Sequence, residues 1–570
     1  MKTADRERTL PFSFEHNQFK TINTRDAPVT VKEDECPILE NFMPIGTSLY
    51  TVPGVSAILQ KAGEDESVWT ANTVTAIDTV RIPTAYNGYV YKCTARSGTF
   101  KTHATTEPIW PTSGTIVDNE VTWTAYSLDI IRMFDFNDEG TNKKILATKG
   151  GAIYSSTDAY VQTRLCLPGI TTNPKFRQWS YTNLLILDPT AGYATWDGAA
   201  APPLSFNASY KGTAIAIFAT RVWIANTVTS ARTIQYTSPL GFLATDFVAT
   251  GSGSVIDAFA SLRMKIVALE ATQEYLYVIG DHATHLIHGV QLLDTGSTAF
   301  QIVDALPGVG SIHEDSVLAY GSSVFFVGDS GVWAVQGMQN ELLSSYLDGL
   351  FPNFIVDLSV FSVKACIAKI YNKNCYCMAV KHYDLIDGSI VKTLWVLYEG
   401  RWFNVKFGAT YDIIAVQSKN TETESSCFAA YGPNVVQIFT GTSIMTRRVK
   451  TKAENHGYPI NDKQVLSVGG MISNDTGLLS PLVATITAQG ETSKGSAQVT
   501  FTPSTLSWYN NAGLLVTWTG MTWGYPFNDM FGSQECDGRG KRISLEYIET
   551  SVSEYVLTGL MLEGMLGARG

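Results

Sequence analysis

A β-hairpin signature recurs seven times between residues 128 and 445 of this 570-residue chain. Segment 321–337, GSSVFFVGDSGVWAVQG, is the plainest copy. Ser323 to Val327 is β-branched and aromatic, Gly328-Asp-Ser-Gly331 is turn chemistry, and Val332 to Val335 is apolar again. Both runs are nearly continuous in apolar residues, which predicts a hairpin covered on both faces. Further copies lie at 143–157, 182–198, 213–227, 268–289, 394–405 and 427–440. One small β unit repeated at uneven intervals of several tens of residues points to a degenerate β-propeller, whose blades hold about four strands each. An array of ordinary β-sandwiches is the competing architecture.

Three regions fall outside this rhythm, and the domain reading follows from them. Residues 1–54 form an N-terminal arm, 67–126 an inserted small β module, 128–445 the propeller, and 450–570 a C-terminal β platform. The platform is read from the alternating stretches LVATITAQG, SAQVTFTPS, GLLVTWTG, RISLEYIETS and EYVLTGLMLEG. The terminal parts are expected to be sandwich-like and to pack on each other beside the propeller. Helical periodicity is scarce, so the fold class is all-β.

Charge limits the partners. The formal net charge is −11 and only 16% of residues are charged. A nucleic-acid reader normally carries a basic face, which speaks against sequence-specific binding. An acidic wall, by contrast, lets a duplex slide past. The short basic clusters Arg447, Arg448, Lys450, Lys452 and Arg539, Lys541, Arg542 are read as solvated turns or as contacts to a neighbouring subunit or ring. The first residues, MKTADRERTLPFSFEH, carry charges where a signal peptide needs an apolar core, so secretion by that route is not expected. The eight scattered cysteines are read as core thiols of a chain folded in a reducing cytosol.

No catalytic or metal constellation is legible. His282, His285 and His288 are three apart, a spacing that sends strand side chains to opposite faces, so a metal site is not expected there. The acidic pairs Asp65/Glu66 and Glu314/Asp315 lie beside turns and read as solvated loops. GSGS at 251–254 reads as a linker-like loop, and no glycine pair has the context of a phosphate cradle. No cofactor is expected.

The insert holds Trp69, Trp110 and Trp123 within about 60 residues, as a domain this small needs large aromatics for its core. Its motifs Trp69/Asn72, Asn87/Gly88/Tyr91, Glu107/Pro108/Trp110/Pro111 and Val121/Trp123 resemble small β modules of phage tail and fibre proteins. Such modules are suspected of stacking exposed aromatics on sugar rings. The preferred reading of the three tryptophans is core, with sugar stacking as the alternative.

The arm sequence ECPILENFMPIGTSLYTVPGVS, 35–56, resembles the opening of tail nozzle (tail tubular, or tail hub) proteins of short-tailed bacteriophages. Leu39, Asn41, Phe42, Pro44, Pro53 and Gly54 carry the match. IQYTSPLGFLATDF (234–247), ALEATQEYLYVIGDHATHLIHG (268–289) and LPGVGSIHEDSVLAYGSSVFFVGDSGVWAV (306–335) resemble blade patterns of those proteins, and 538–570 resembles phage tail sequence. The tryptophan insert departs from the pattern. The resemblance implies a non-enzymatic structural protein of the virion tail, assembled in the host cytoplasm. It implies a homohexamer below the portal and tail adaptor rings that retains DNA, conducts it without sequence-specific binding and anchors fibres or spikes. The rival readings are a propeller glycosidase or depolymerase with a sugar-binding insert, and a soluble sugar-binding receptor module.

Overall fold

The computed structural model describes residues 10–569 except 139–140, 181, 200–202, 228–229, 248–254, 258–263, 294–297, 349, 352–353, 355–361, 385–386, 409–414, 421–424, 442, 474–479 and 503–528. The segments GSGS and GLLVTWTG lie outside the described residues. The fold is all-β: among the described residues there is no α-helix, only three short 3₁₀ turns at Ala244–Asp246, Glu314–Ser316 and Ser345–Leu347.

Seven antiparallel meanders follow one another along the chain. Sheet I is Ile130–Asp138, Thr141–Thr148, Ile153–Thr157 and Gln162–Cys166, and sheet II is Lys175–Trp179, Asn183–Asp188 and Gly192–Trp196. Sheet III is Ala214–Phe218, Arg221–Ala225, Thr233–Tyr236 and Val255–Asp257. Sheet IV is Ile266–Ala271, Leu276–Gly280, Thr284–Leu292 and Thr298–Leu306. Sheet V is Leu318–Tyr320, Ser323–Gly328, Gly331–Gln336 and Gln339–Leu342. Sheet VI begins with Lys364–Ile370, Lys373–Tyr383, Ile390–Tyr398 and Arg401–Val405, and sheet VII with Ala415–Asn420, Ser425–Tyr431 and Asn434–Gly441.

The first strands of these sheets touch in succession. II lies against III, III against IV, IV against V, V against VI, VI against VII, and VII against I. Sheets I and II meet through Phe134 and Phe176, whose ring centroids are 6.0 Å apart. Five seams are separate apolar clusters, and the V–VI and VI–VII seams merge into one core with the terminal sheets, which explains why the hairpin runs are apolar on both sides. In sheet V, Val324, Phe326 and Val335 pack on Tyr277 and Ile279 of sheet IV. Val327 and Val332, on the other face, join the core shared with sheet VI. A hairpin sandwiched in this way buries both faces and has no need of a polar one.

The N-terminal arm completes two of the meanders. Gly54–Val55 and Gln60–Lys61 pair with Asn434–Gly441 and close sheet VII. Gly54 and Gly441 are register partners, and the approach leaves no room for a side chain. A Cβ on Gly441 would lie 1.8 Å from the Val55 carbonyl carbon, and one on Gly54 would lie 2.5 Å from Ser443 Oγ. Upstream, Ile38–Glu40 sits between Arg401–Val405 of sheet VI and Met445–Lys450. Sheet VI thereby continues through the arm into Met445–Lys450, Ile543–Ser551, Leu482–Gly490 and Lys494–Phe501, nine strands in all.

A second terminal sheet joins Asn461–Ser473, Asp529–Gly540 and Val556–Arg569 to the arm strands Phe42–Ile45, Ser48–Thr51 and Leu10–His16. Leu10–His16 pairs along its whole length with 560–566. The inner face of this sheet buries Phe12, Val468, Leu560 and Leu562, and its outer face exposes Glu15, Glu535 and Glu563. The insert is a four-stranded sheet of Val80–Arg81, Tyr89–Arg96, Val121–Ser127 and Thr115–Asp118. Val80, Ile82 and Val90 seat it on sheets I and VII.

Candidate functional site

The first strands of the seven sheets line a cavity of about 150 Å³. Its chemistry comes from the ends of those strands. Arg132 lies in the first strand of sheet I, Lys175 opens sheet II, and Lys364 opens sheet VI. They meet Glu314 and Asp315, carried on the 3₁₀ turn before sheet V. The turn is held by Ser316, whose Oγ donates to the His313 carbonyl at 2.7 Å and accepts from the Val327 N–H at 3.1 Å.

Arg132 Nη2 lies 2.6 Å from each Asp315 oxygen. Lys175 Nζ is 2.6 Å from Asp315 Oδ1 and 2.6 Å from Glu314 Oε1, and Lys364 Nζ donates to Asp315 Oδ2. Asn173 donates to Glu314 at 2.7 Å and accepts from Arg132 Nη1 at 2.9 Å. A second pair, Arg177 and Glu270 at 2.6 Å, lies between sheets II and IV. Burial alone would raise Asp315, but the charges of Arg132, Lys175 and Lys364 hold it well below the ordinary carboxylate range. Glu270 is raised by burial, against the pull of Arg177. Asp315 is therefore a fixed anion that ties four sheets together, and it has no proton to donate at neutral pH.

This arrangement corrects the solvated-loop reading of Glu314/Asp315 and of Glu66, whereas Asp65 is exposed in a turn as that reading expects. Glu314 and Asp315 face the cavity. Asp65 accepts from the Gln162 N–H at 2.7 Å, and Glu66 takes Arg164 Nη1 at 2.6 Å on both oxygens, fixing the start of the insert to sheet I. The three cations carry no motif in the sequence, because each is an isolated residue at or near the start of a first strand. Aligning the hairpin repeats on their first strands is the signal that brings Arg132, Lys175 and Lys364 to comparable positions.

In the insert two of the three tryptophans share one carboxylate, and the third uses another. Buried Asp118 accepts from Trp69 Nε1 at 2.7 Å, from Trp123 Nε1 at 3.2 Å and from the His103 N–H at 2.8 Å. Trp110 packs at a tilt against Tyr91, ring centroids 4.3 Å apart, and donates its indole N–H to Glu107 at 2.7 Å. Trp123 is core, whereas Trp69 and Trp110 are half-buried. Their indole N–H groups are engaged inside the module, which leaves ring faces and edges as their exposed chemistry.

The basic residues separate into inner and outer sets. Arg447 is buried against Glu549 at 3.0 Å and also donates to the Ser551 carbonyl at 3.2 Å, so its side chain is used within the chain. Arg448 Nε donates to Glu546 at 2.5 Å, and Lys450 Nζ to Gln489 at 2.6 Å. Lys452 lies 4.0 Å from Glu454. Arg539 is exposed beside Asp537 at 3.3 Å, and Arg542 is half-exposed 3.8 Å from Glu491. Lys541 is tied through its backbone, whose carbonyl accepts from Lys463 Nζ at 2.6 Å.

The histidines do not converge. His282 is exposed in a turn beside Asp281, His285 is buried with Nδ1 2.6 Å from Asp304, and His288 packs edge-on to Tyr275. Cys366, from the first strand of sheet VI, lies 3.8 Å from Cys427 of sheet VII, and seven of the eight cysteines are buried.

No family model matches the chain, and no curated protein matches it. The solved structures that are similar at low level include the following two. One is the extracellular domain of the putative hybrid two component system BT4673 from B. thetaiotaomicron, with TM-score 0.35, 9% identity, 66% of this chain and 44% of that one covered. The chain thus spans under half of that domain. The other is the WD40 beta propeller domain of Doa1, with TM-score 0.30, 10% identity, 57% of this chain and 95% of that one covered. Likeness of this degree carries no argument about what this chain does.

Proposed function

We propose that this chain is the nozzle protein of a short bacteriophage tail, a structural component and not an enzyme. In this reading residues 128–441, closed by residues 54–61, form a seven-bladed propeller. The cyclic succession of inner strands, with sheet VII against sheet I, supports that count. Six copies form a ring in the virion below the portal and tail adaptor, retain the genome, conduct it on infection and anchor fibres or spikes.

The observation that carries the reading is the arm. The residues that resemble nozzle sequences, Leu39, Asn41, Phe42 and the Pro53-Gly54 turn, are those at the junction of sheets VI and VII with the terminal sheets. A structural motif kept at such a joint suits a part whose work is to hold domains in fixed relation. The outer face of the second terminal sheet, with Glu15, Glu535 and Glu563, suits a bore that repels phosphate. The glycosidase reading needs one carboxyl that can act as a general acid opposite a second carboxylate. In the central cavity Asp315 is instead held ionised by three cations.

The test is native mass spectrometry of the assembled protein together with its copy number in purified particles. About six chains per ring and per particle are expected, with weak duplex binding even at low salt. A monomer that hydrolyses host polysaccharide and is absent from particles would overturn the reading. So would a ring that grips duplex DNA through Lys541 and Arg542.

A further inference from the structure

The central cavity is charged asymmetrically. Among the described residues that line it, Arg132, Lys175 and Lys364 face only Glu314 and Asp315, while Arg177 is matched by Glu270. One positive charge is left over in a place where the side chains of Arg132 and Lys175 are each 11% exposed and that of Lys364 is 16% exposed. An uncompensated charge that deep is costly. Burial and the neighbouring Arg132 charge lower Lys175 from the ordinary lysine range, against the pull of Asp315 and Glu314. Lys364 has one partner, Asp315, and three N–H groups to give.

We propose that this cavity binds a small oxyanion, a carboxylate or phosphate group, which takes the spare N–H donors of Lys364 and supplies the missing negative charge. The dimensions agree. A volume of about 150 Å³ holds such a group, and is far too small for an oligosaccharide or a nucleic-acid strand. Much of the rest of the lining, including Phe134, Phe176, Ile215, Leu269 and Leu318, is apolar and offers a polar ligand no side-chain partners. Because the cations come from sheets I, II and VI, an anion there braces the ring of sheets from its centre. This inference does not depend on the tail reading of the whole chain.

The experiment is thermal unfolding of the full chain in inorganic phosphate, in acetate and in chloride at matched ionic strength. Phosphate or acetate at about a hundredfold excess over its Kd is expected to raise the midpoint by about 2 °C over chloride. The arm that responds identifies the anion. Lys364→Met keeps Asp315 paired with Arg132 and Lys175, so it is expected to fold and to lose the response. Lys175→Met is expected to lose it as well, and if that variant fails to fold, Lys364→Met alone decides. A midpoint equal in all three salts, or a response retained in Lys364→Met, would overturn the proposal.

Discussion

Asn41 and Lys406 are hydrogen-bonded to each other twice. The Asn41 amide donates to the Lys406 carbonyl at 2.9 Å and accepts from the Lys406 N–H at 2.7 Å, across 365 positions of sequence. The same amide nitrogen donates to the Thr446 carbonyl at 2.7 Å. Asn41 is buried at φ 60°, a left-handed conformation that asparagine tolerates better than most residues. One side chain thus ties the arm to the end of sheet VI and to the first strand of the terminal region.

Replacing Asn41 by Asp removes both donations and places a charge against two carbonyls. We expect a loss of about 2–4 kcal/mol, read as a lower unfolding midpoint. Limited proteolysis should then cut within the arm before the seven sheets. Unchanged proteolysis would mean that the strand pairing alone holds the arm.

Gly441→Ala probes the closure of sheet VII. The added methyl cannot coexist with Val55 at 1.8 Å, so the arm must shift or detach. Overpacking of this kind costs about 1–3 kcal/mol. Hydrogen exchange at the Val55 and Ser56 amides should accelerate, and exchange in sheet IV should stay as in the wild type.

Asp315→Asn leaves three cations with Glu314 alone. A buried pair broken on one side costs about 3–5 kcal/mol, so this variant should be among the least stable single substitutions in the chain. Denaturant unfolding measures it. Glu563→Gln, on the exposed outer face of the terminal sheet, should change stability by less than about 0.5 kcal/mol.

Acid should loosen the arm. His16 and His456 are both lowered to about 4 by burial; Asp34 opposes this for His16, and Lys463 adds to it for His456. Phe14 packs on the His456 ring at 4.3 Å, and Glu454 lies 4.0 Å from its Nδ1. Because both histidines are neutral in the folded state, the unfolded chain binds more protons in acid. Their contribution is therefore complete above pH 6.5 and is lost as the pH falls from 6.5 toward 4. Exchange of the 10–16 amides should rise across that window, and His456→Phe should reduce the change. A flat profile between pH 7 and 4 would contradict this.

The all-β class was legible because hairpin chemistry is local. Turn residues and apolar runs at 323–335 or 214–225 depend only on near neighbours, and they mark strands that the structure contains. The central cluster was not legible, since Arg132, Lys175, Asp315 and Lys364 are separated by tens of residues and each looks like an ordinary surface charge. The same holds for Arg447, whose burial depends on Glu549 lying opposite it in the adjacent strand. Asn41 was noticed through resemblance, but its three hydrogen bonds need two partners more than 360 positions away. The insert gave an intermediate result. Its motifs showed that the tryptophans belong together, while the role of Asp118 in joining two of them required the fold.

The arm's pairing also sets a timetable for synthesis. The Tyr555 N–H donates to Thr51 Oγ1 across 504 positions, and the strands that receive residues 38–61 lie beyond residue 400. At about 5–20 residues per second, the interval between the two halves of that contact is about 25–100 s. Throughout it residues 38–40 and 54–61 have emerged with exposed strand edges and without the strands they pair with. The arm can therefore dock only after the strands beyond residue 400 have been made, so this joint closes late in synthesis.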